Sequence, residues 1–437
     1  MKLTSILPHT TAPTPIRPLA PMRMLFILGI MNALNFLDRQ LVGILLPHIK
    51  ADFVLTDSQI GLLTGVAFAL FFSVAGLPLG WVATRVDRRK LIAASIAGWS
   101  VMTALSGVAS SFSMLLFARV GVGIGEAGVG PSSYAMISDA FSERARPAAI
   151  AFYAAAASVG GGIGILFGGW AADVWGWRTA FYAAGCLGLV VVPIVWFQLI
   201  DPLHKERVSS PVQPLSLVTS VKFILRTKTF LPLAAAAVLT AFSTYTLLIW
   251  LPSFLVRSYQ LSTASAGAIL APISLLGGVG GQLSGGMLAR RLGVIDIRWW
   301  MWLPASALAT SVPLAAFGIM SHRLEVTIVF LFLTVFASYM FSGPLFAALN
   351  TIVLPRIRPL ANSMVVFLQA AVGLSLGPLL TGMVSDTLLL RAGADALRYA
   401  LVVPIIGMAF AALFYLLAAR TLRLDASQII GAEVLSG

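Results

Sequence analysis

The amino-acid sequence predicts an all-α integral membrane protein whose twelve transmembrane helices form two parallel six-helix repeats. Three observations support this fold class: the composition, a series of long apolar runs and an internal duplication. The 437 residues are 59% hydrophobic and 10% charged, with a mean hydropathy of +0.94. Because soluble domains carry about 25% charged residues, this composition excludes a soluble globular protein.

Twelve apolar runs are long enough to cross a bilayer, which takes about 20 residues in a helix. Backbone polar groups in lipid must form hydrogen bonds within their own segment, so each run is expected to be helical. The runs cover residues 22–46, 58–84, 90–110, 113–138, 146–170, 177–200, 229–256, 263–289, 299–319, 324–351, 359–385 and 396–419.

Short motifs of the first half recur in the second half in the same order. The Leu-Pro pair at 46–47 recurs at 251–252, and Asp173 recurs as Asp386, with offsets that drift from 205 to 213 residues. An even number of runs separates the copies, so the repeats are parallel. The predicted domains are a cytoplasmic tail 1–21, an N-terminal six-helix bundle 22–200, a cytoplasmic linker 201–228, a C-terminal six-helix bundle 229–420 and a cytoplasmic tail 421–437.

The basic residues predict the orientation of the chain. With both termini in the cytoplasm, most of the 29 Lys and Arg residues fall in cytoplasmic segments, as the positive-inside rule requires. The formal net charge of +13 is therefore assigned to orientation. The expected partner is the lipid bilayer, and no nucleic-acid partner is expected.

Two carboxylates point to the function. Of the sixteen acidic residues, only Asp38 and Glu126 lie well inside the apolar runs, away from their ends, and a charge in hydrocarbon is costly enough to suggest a functional role. Arg119 precedes Glu126 by seven residues, about two helical turns, so both lie on one face. Asp38 lies between them in depth. Arg39 is adjacent to Asp38 but points about 100° away, so it is expected to brace the fold.

These three residues form a candidate proton-coupling site. A low-dielectric environment favours a protonated carboxyl group, whereas a neighbouring guanidinium favours the ionised form. Arginine also binds phosphate or carboxylate through two parallel hydrogen bonds. The hypothesis is that Asp38 and Glu126 exchange protons while Arg119 alternates between them and an anionic substrate. The alternative is a static ion pair that locks the first and fourth helices together.

The segment from Gly80 to Lys90 resembles the loop signature of the major facilitator superfamily, as does the arrangement of six plus six helices. Thr84 replaces the acid of that signature, and Asp87 occupies its glycine position. The resemblance implies the major facilitator fold and a charge latch at the cytoplasmic side, either weakened or rebuilt with Asp87. A simple basic loop is the alternative. The candidate gating residues are Arg85, Asp87, Arg88, Arg89 and Arg39.

Two further motifs resemble the Spinster-like branch of that superfamily. They are the segment 35–39, Asn-Phe-Leu-Asp-Arg, and the segment 119–127, Arg-x-x-x-Gly-x-Gly-Glu-Ala. Members of the branch move sphingosine 1-phosphate or lysophospholipids, and the first and fourth helices of the superfamily line a central cavity. Organic-anion symporters of the superfamily carry a similar Asp-Arg pair and Glu-Ala pair. The resemblance implies a monomeric multi-pass protein of a bacterial inner membrane.

The sequence therefore predicts a proton-coupled transporter of an amphiphilic anion, with the proton as coupling ion and no other cofactor. No phosphate-binding Gly-x-x-x-x-Gly-Lys-Ser/Thr stretch occurs, and the four histidines have no metal-ligand spacing, so neither ATP drive nor an enzyme is expected. A symporter of small organic or sugar acids and an uncoupled facilitator are the alternatives. The candidate substrate contacts are Arg119, Asn35, Glu126, Tyr245, Tyr339 and Gln369.

Overall fold

A computed structural model describes residues 19–83, 85–142, 145–201, 217–354 and 357–436. Across these ranges the chain is helical and contains no strand. A short helix, Leu217–Arg226, precedes the second half. The long helices are α1 Leu19–Phe53, α2 Asp57–Val82, α3 Arg88–Gly107, α4 Phe112–Ala140, α5 Arg146–Trp175, α6 Trp177–Gln198, α7 Phe230–Tyr259, α8 Thr263–Gly293, α9 Trp299–Met320, α10 Leu324–Thr351, α11 358–392 and α12 Val402–Ser436.

These helices account for the twelve predicted runs. Ten helical stretches of the described chain are long and apolar enough to span a membrane. The last of them, Arg358–Gln428, covers α11 and most of α12, and Gly393, with a φ of 54°, follows α11. The one long helix that these ten stretches leave out is α3. It is 20 residues long and begins with three basic residues, which lower its mean hydropathy. The predicted fold class of an all-α membrane protein is confirmed.

Some of the predicted boundaries lie outside the described residues. These are most of the N-terminal tail, most of the linker 201–228, and Thr84 in the loop after α2. The division into two bundles at these boundaries therefore stays a prediction.

The duplication is visible in how α2 and α8 begin. The side chain of Thr56 accepts a hydrogen bond from the backbone N–H of Gln59, and Ser262 accepts one from the N–H of Ser265. Such caps satisfy backbone donors that the first helical turn leaves free. Thr56 and Ser262 occupy equivalent positions in the two repeats, so both repeats start their second helix in the same way.

Two aspartates join the halves at the end of the bundle opposite the chain termini, here called the closed end. Asp386 of α11 accepts hydrogen bonds of 2.8 Å from the backbone N–H groups of Asp57 and Ser58 at the start of α2. Asp173 of α5 accepts one of 2.8 Å from the N–H of Ala264 at the start of α8. A carboxylate is favourable at a helix N-terminus because of the helix dipole. Each half therefore caps a helix of the other half.

Glycines allow the halves to approach closely at the same end. A Cβ atom on Gly169 would lie 2.7 Å from the carbonyl oxygen of Thr263, and one on Gly382 would overlap the carbonyl oxygen of Asp57. Arg257 of α7 adds hydrogen bonds of 2.8 and 2.7 Å to the Asp57 carboxylate. The closed end is thus stabilised by close backbone packing at glycines and by the ion pair between Arg257 and Asp57.

We expect Gly382→Ala to destabilise the closed end, because the added methyl group would displace the start of α2, and such overpacking costs about 1–3 kcal/mol. Thermal unfolding in detergent would measure the loss. Gly98→Ala is the matched control, since a Cβ there meets no atom within 4 Å. It should raise stability by about 0.5–1 kcal/mol through helix propensity. Equal effects of the two changes would contradict the packing described.

Candidate functional site

The first of two buried ion pairs joins α1 to α4. Asp38 is 3% exposed and Arg119 is 2% exposed. The Nη1 atom of Arg119 lies 3.3 Å from Oδ2 of Asp38, while the hydroxyl of Thr103 in α3 donates to Oδ1 at 2.8 Å. Both carboxylate oxygens therefore have a partner, as a buried charge requires.

The second ion pair joins the same two helices. Nε of Arg39 lies 2.6 Å from Oε2 of Glu126, whose carboxylate is completely buried. Arg39 points away from Asp38, as expected, but its long side chain reaches α4 and pairs with the second acid. Whether this pair only braces the fold stays a prediction. The site thus contains two acids and two bases, with a formal charge of zero when all four are ionised.

Aromatic rings surround the Arg39 guanidinium. Its Cζ atom lies 5.2, 4.9 and 4.7 Å from the ring centroids of Phe36, Phe68 and Phe72, respectively. Phe68 also lies 5.2 Å from Cζ of Arg119. A cation is attracted to the face of an aromatic ring within about 6 Å of its centroid. The rings therefore replace part of the hydration that the guanidinium would have in water.

Local backbone structure explains this close assembly. A Cβ atom on Gly123 would lie 2.6 Å from the carbonyl oxygen of Phe68, so the glycine lets α4 rest directly on α2. Along α2, residues Leu62–Leu70 adopt a π-helix, a wide turn that is frequent at functional sites. Gly123 lies between Arg119 and Glu126 on α4 and brings both toward α2.

Two polar atoms of the site have no hydrogen-bond partner in the described part of the chain. They are Oε1 of Glu126 and Nε of Arg119, and both are buried. Buried polar atoms are normally satisfied, so each ion pair has spare capacity: Glu126 can accept one more hydrogen bond, and Arg119 can donate one. A water molecule or a polar substrate group could supply either missing partner, and Oε1 of Glu126 could instead bind a proton.

Of the other predicted substrate contacts, Tyr245 interacts electrostatically with the charged residues. It lies on α7 within electrostatic range of Arg39, Arg119 and Glu126, and its hydroxyl donates to the carbonyl oxygen of Thr64 at 3.4 Å. The second half therefore meets the charged cluster through a tyrosine. Its role in substrate binding stays a prediction.

The other three predicted substrate-binding residues lie in separate places of the structure. Asn35 is buried at 5% exposure on α1. Gln369 donates to the carbonyl oxygen of Ala237 at 3.3 Å, which is a helix-packing contact. Tyr339 lines a small cavity between the halves, together with Gln40 of α1. The structure does not gather these three side chains around one point.

Four of the five predicted gating residues lie where α2 ends and α3 begins, whereas the fifth, Arg39, lies in α1 and belongs to the charged site. Asp87 caps α3, accepting a hydrogen bond of 2.9 Å from the backbone N–H of Arg89, and Nη2 of Arg89 lies 3.1 Å from its carboxylate. Arg85 stacks over the Trp81 ring at 3.7 Å. Asp87 therefore caps a helix, while Thr84, which replaces the acid of the signature, lies outside the residues described. A latch rebuilt with Asp87 stays a prediction.

Arg88 connects this loop to other helices of the first half. Its Nη1 atom lies 2.6 Å from the carboxylate of Asp139 at the end of α4. Its backbone N–H donates to Asp201, which follows α6, at 3.1 Å. Arg88 is only 8% exposed. These contacts draw the ends of three helices together, and a gating role for the loop stays a prediction.

Thr103, Phe68 and Phe72 are members of the site that the sequence did not single out. Threonine and phenylalanine are common in apolar helices, so neither residue type stands out there. The glycine-rich segment of α4 was the one available signal, because glycines at a charged face indicate that another helix approaches closely.

We expect Arg39→Gln to lower the stability of the protein by about 3–5 kcal/mol, because it leaves the Glu126 carboxylate buried without a counter-charge. Adding Glu126→Gln should restore most of the loss in thermal unfolding. Arg178→Gln is the matched control: Arg178 pairs with Asp52 at the surface, where both side chains are 41% exposed, so its effect should be at most about 1 kcal/mol. Equal losses in both pairs would contradict the burial described.

Thr103→Val should cost about 1–3 kcal/mol, since Oδ1 of Asp38 would lose its donor without a change in side-chain shape. Thr103→Ser should keep most of the stability. Thr334→Val serves as a control in the same melting experiment, because among the described residues the buried Thr334 hydroxyl bonds only within its own helix, to the carbonyl oxygen of Phe330. A Thr103→Val protein as stable as the Thr334→Val protein would rule out this contact.

Comparison with known proteins identifies the fold and its relatives. The sequence profile of the Major Facilitator Superfamily matches residues 28–378. An MFS-type efflux pump of Mycolicibacterium smegmatis is 31% identical over 400 residues, covering 91% of this chain and 92% of the relative. Protein spinster homolog 1 of Homo sapiens is 27% identical over 397 residues, covering 85% and 75%, respectively.

A solved structure agrees with these relatives. The crystal structure of a bacterial homolog to the human lysosomal transporter Spinster, in an inward-facing and unoccupied conformation, matches with a TM-score of 0.84. It is 26% identical and covers 94% of this chain and 99% of that chain. The resemblance to the Spinster-like branch is confirmed. This multi-pass membrane chain is a transporter and not an enzyme, and it belongs to the major facilitator superfamily.

Proposed function

We propose that this chain is a proton-coupled secondary transporter that moves an amphiphilic anion, such as a lysolipid or a sphingoid phosphate, by alternating access. The observation that carries the proposal is the pair of buried ion pairs, Asp38–Arg119 and Arg39–Glu126, between α1 and α4. Asp38 and Glu126 carry the protons, and Arg119 switches between Asp38 and the substrate.

Charge balance explains why a proton should move with the substrate. An anionic head group that binds Arg119 separates it from Asp38, and a buried carboxylate without a partner is strongly destabilising. Uptake of one proton for each negative charge bound keeps the site neutral. The spare acceptor of Glu126 and the spare donor of Arg119 allow the pairs to change partners without first breaking every hydrogen bond.

The contrast between the halves supports an amphiphilic substrate. Ser243 occupies the position of Asp38 in the second repeat and bonds only to the carbonyl oxygen of Leu239 in the described chain. The cavity near Tyr339 has a volume of about 20 Å³ and mostly apolar walls. Its aliphatic lining residues are Ile44, Ile165, Leu247, Leu248, Leu251, Leu270, Ile273 and Val335. A head group at the charged side and a tail at the apolar side would match both surfaces. A cavity of this volume holds at most one water molecule, so the proposal requires it to widen in another state of the transport cycle.

The proposal includes an inner-membrane location, with both termini in the cytoplasm and the proton as the only coupling ion. Its support is the basic content of the end of the bundle at which the termini lie. Residues 85–90, which join α2 to the first turn of α3, hold four basic residues, and Arg290 and Arg291 lie in the last turn of α8 in the second repeat. Basic residues are enriched in cytoplasmic loops.

The decisive experiment is uptake into proteoliposomes under an imposed proton gradient. Gradient-driven uptake of a labelled lysolipid should fall at least ten-fold in Asp38→Asn, because the variant cannot exchange a proton at that position. Glu325→Gln is the matched control, since Glu325 lies exposed at the start of α10, and it should transport like the unmodified protein.

Other results would redirect the proposal. Uptake of a small organic acid without uptake of the lysolipid would identify a small-acid symporter. Lysolipid movement that ignores both the gradient and Asp38→Asn would make the protein an uncoupled facilitator and Asp38 a structural charge.

A further inference from the structure

One aromatic ring lies against both cations of the charged site. The Phe68 centroid is 4.9 Å from Cζ of Arg39 and 5.2 Å from Cζ of Arg119. Phe68 is completely buried, so its ring is shielded from solvent. Within the described residues, Phe36 and Phe72 make such a contact with Arg39 alone. Phe68 is therefore the point at which the two ion pairs share a neighbour.

The segment that carries Phe68 is held by the second half of the protein. Three residues before Phe68, a Cβ atom on Gly65 would overlap the carbonyl oxygen of Ser375 in α11. The neighbouring carbonyl oxygen of Thr64 accepts a hydrogen bond from Tyr245 of α7. Both contacts fall within the π-helical turn Leu62–Leu70. A movement of α7 or α11 relative to the first half would consequently act on the backbone that sets the position of the Phe68 ring.

We propose that Phe68 is a positioning residue that couples the two ion pairs to each other and to the movement of the second half. This inference rests on the proposed proton-coupled transport. The ring attracts both guanidinium groups, so a shift of the π-helical turn changes the environment of Arg39 and Arg119 in one step. Asp38 and Glu126 then exchange partners together, which prevents one acid from releasing its proton while the other keeps its ion pair.

Substitutions at Phe68 separate the effect of the aromatic π face on the two guanidinium groups from the effect of side-chain packing. Phe68→Leu keeps an apolar side chain but removes the π face, and it should lower gradient-driven lysolipid uptake at least ten-fold. Substrate counterflow without a proton gradient should stay within about three-fold of the unmodified protein, because this exchange needs no net proton movement. Phe68→Tyr keeps the π face and should restore coupled uptake. Phe71→Leu, three residues further along α2 at an exposed position, should have no effect.

Fluorination of the ring gives a second test that does not depend on the stability of Phe68→Leu. Fluorine withdraws electron density from the ring face and leaves its shape nearly unchanged. Phenylalanine with one, two or three fluorine atoms, incorporated at position 68, should lower coupled uptake progressively. The same analogues at position 71 should leave it unchanged. Uptake that is indifferent to fluorination at position 68 would overturn the proposal and leave Phe68 as a packing residue.

The same vesicles distinguish the two hypotheses. Gradient-driven uptake that survives in Asp38→Asn overturns the proposed function, and with it the coupling role of Phe68. Uptake that is lost in Asp38→Asn but kept in Phe68→Leu overturns only the role of Phe68. Parallel loss of coupled uptake and counterflow in Phe68→Leu, without rescue by Phe68→Tyr, would also overturn that role.

Discussion

The pairing of four buried charges sets the relation between α1 and α4. α1 carries an acid followed by a base, Asp38 and Arg39, whereas α4 carries a base and then an acid, Arg119 and Glu126. Each acid meets the base of the other helix. A shift of α4 that brought the two acids together would leave like charges facing each other in a low-dielectric interior, at a cost of several kcal/mol. The ion pairs therefore fix the axial register of the two helices on which the site is built.

The sequence predicted the acids of this site better than it predicted their partners. Asp38 and Glu126 were found because charged residues are rare in apolar runs. The partner of Glu126 was missed, because Cα direction alone put Arg39 on another face and ignored the reach of its side chain. Thr103 and Phe68 were missed because a hydroxyl and an aromatic ring become functional only through what they contact, and the sequence holds no record of those contacts.

The helices and the duplication could be predicted from the sequence, whereas the contacts between the two halves could not. Apolar length gave the helices, and the repeated motifs gave the parallel duplication, including the equivalence of Asp173 and Asp386. That these aspartates cap helices of the opposite half depends on which helices face each other across the protein, and no motif encodes that. The π-helical turns of α2, α8 and α11 were also unpredicted, because their sequences are those of ordinary apolar helices.

The two capping aspartates at the closed end have a mechanical consequence. Asp173 and Asp386 attach the halves at two separate places, one between α5 and α8 and the other between α2 and α11. Two bodies joined at two points keep a single rotation, about the line through those points. With both caps intact, the halves can rotate as rigid bodies about this line. The end near the chain termini then opens or narrows, while the closed end keeps every capping hydrogen bond.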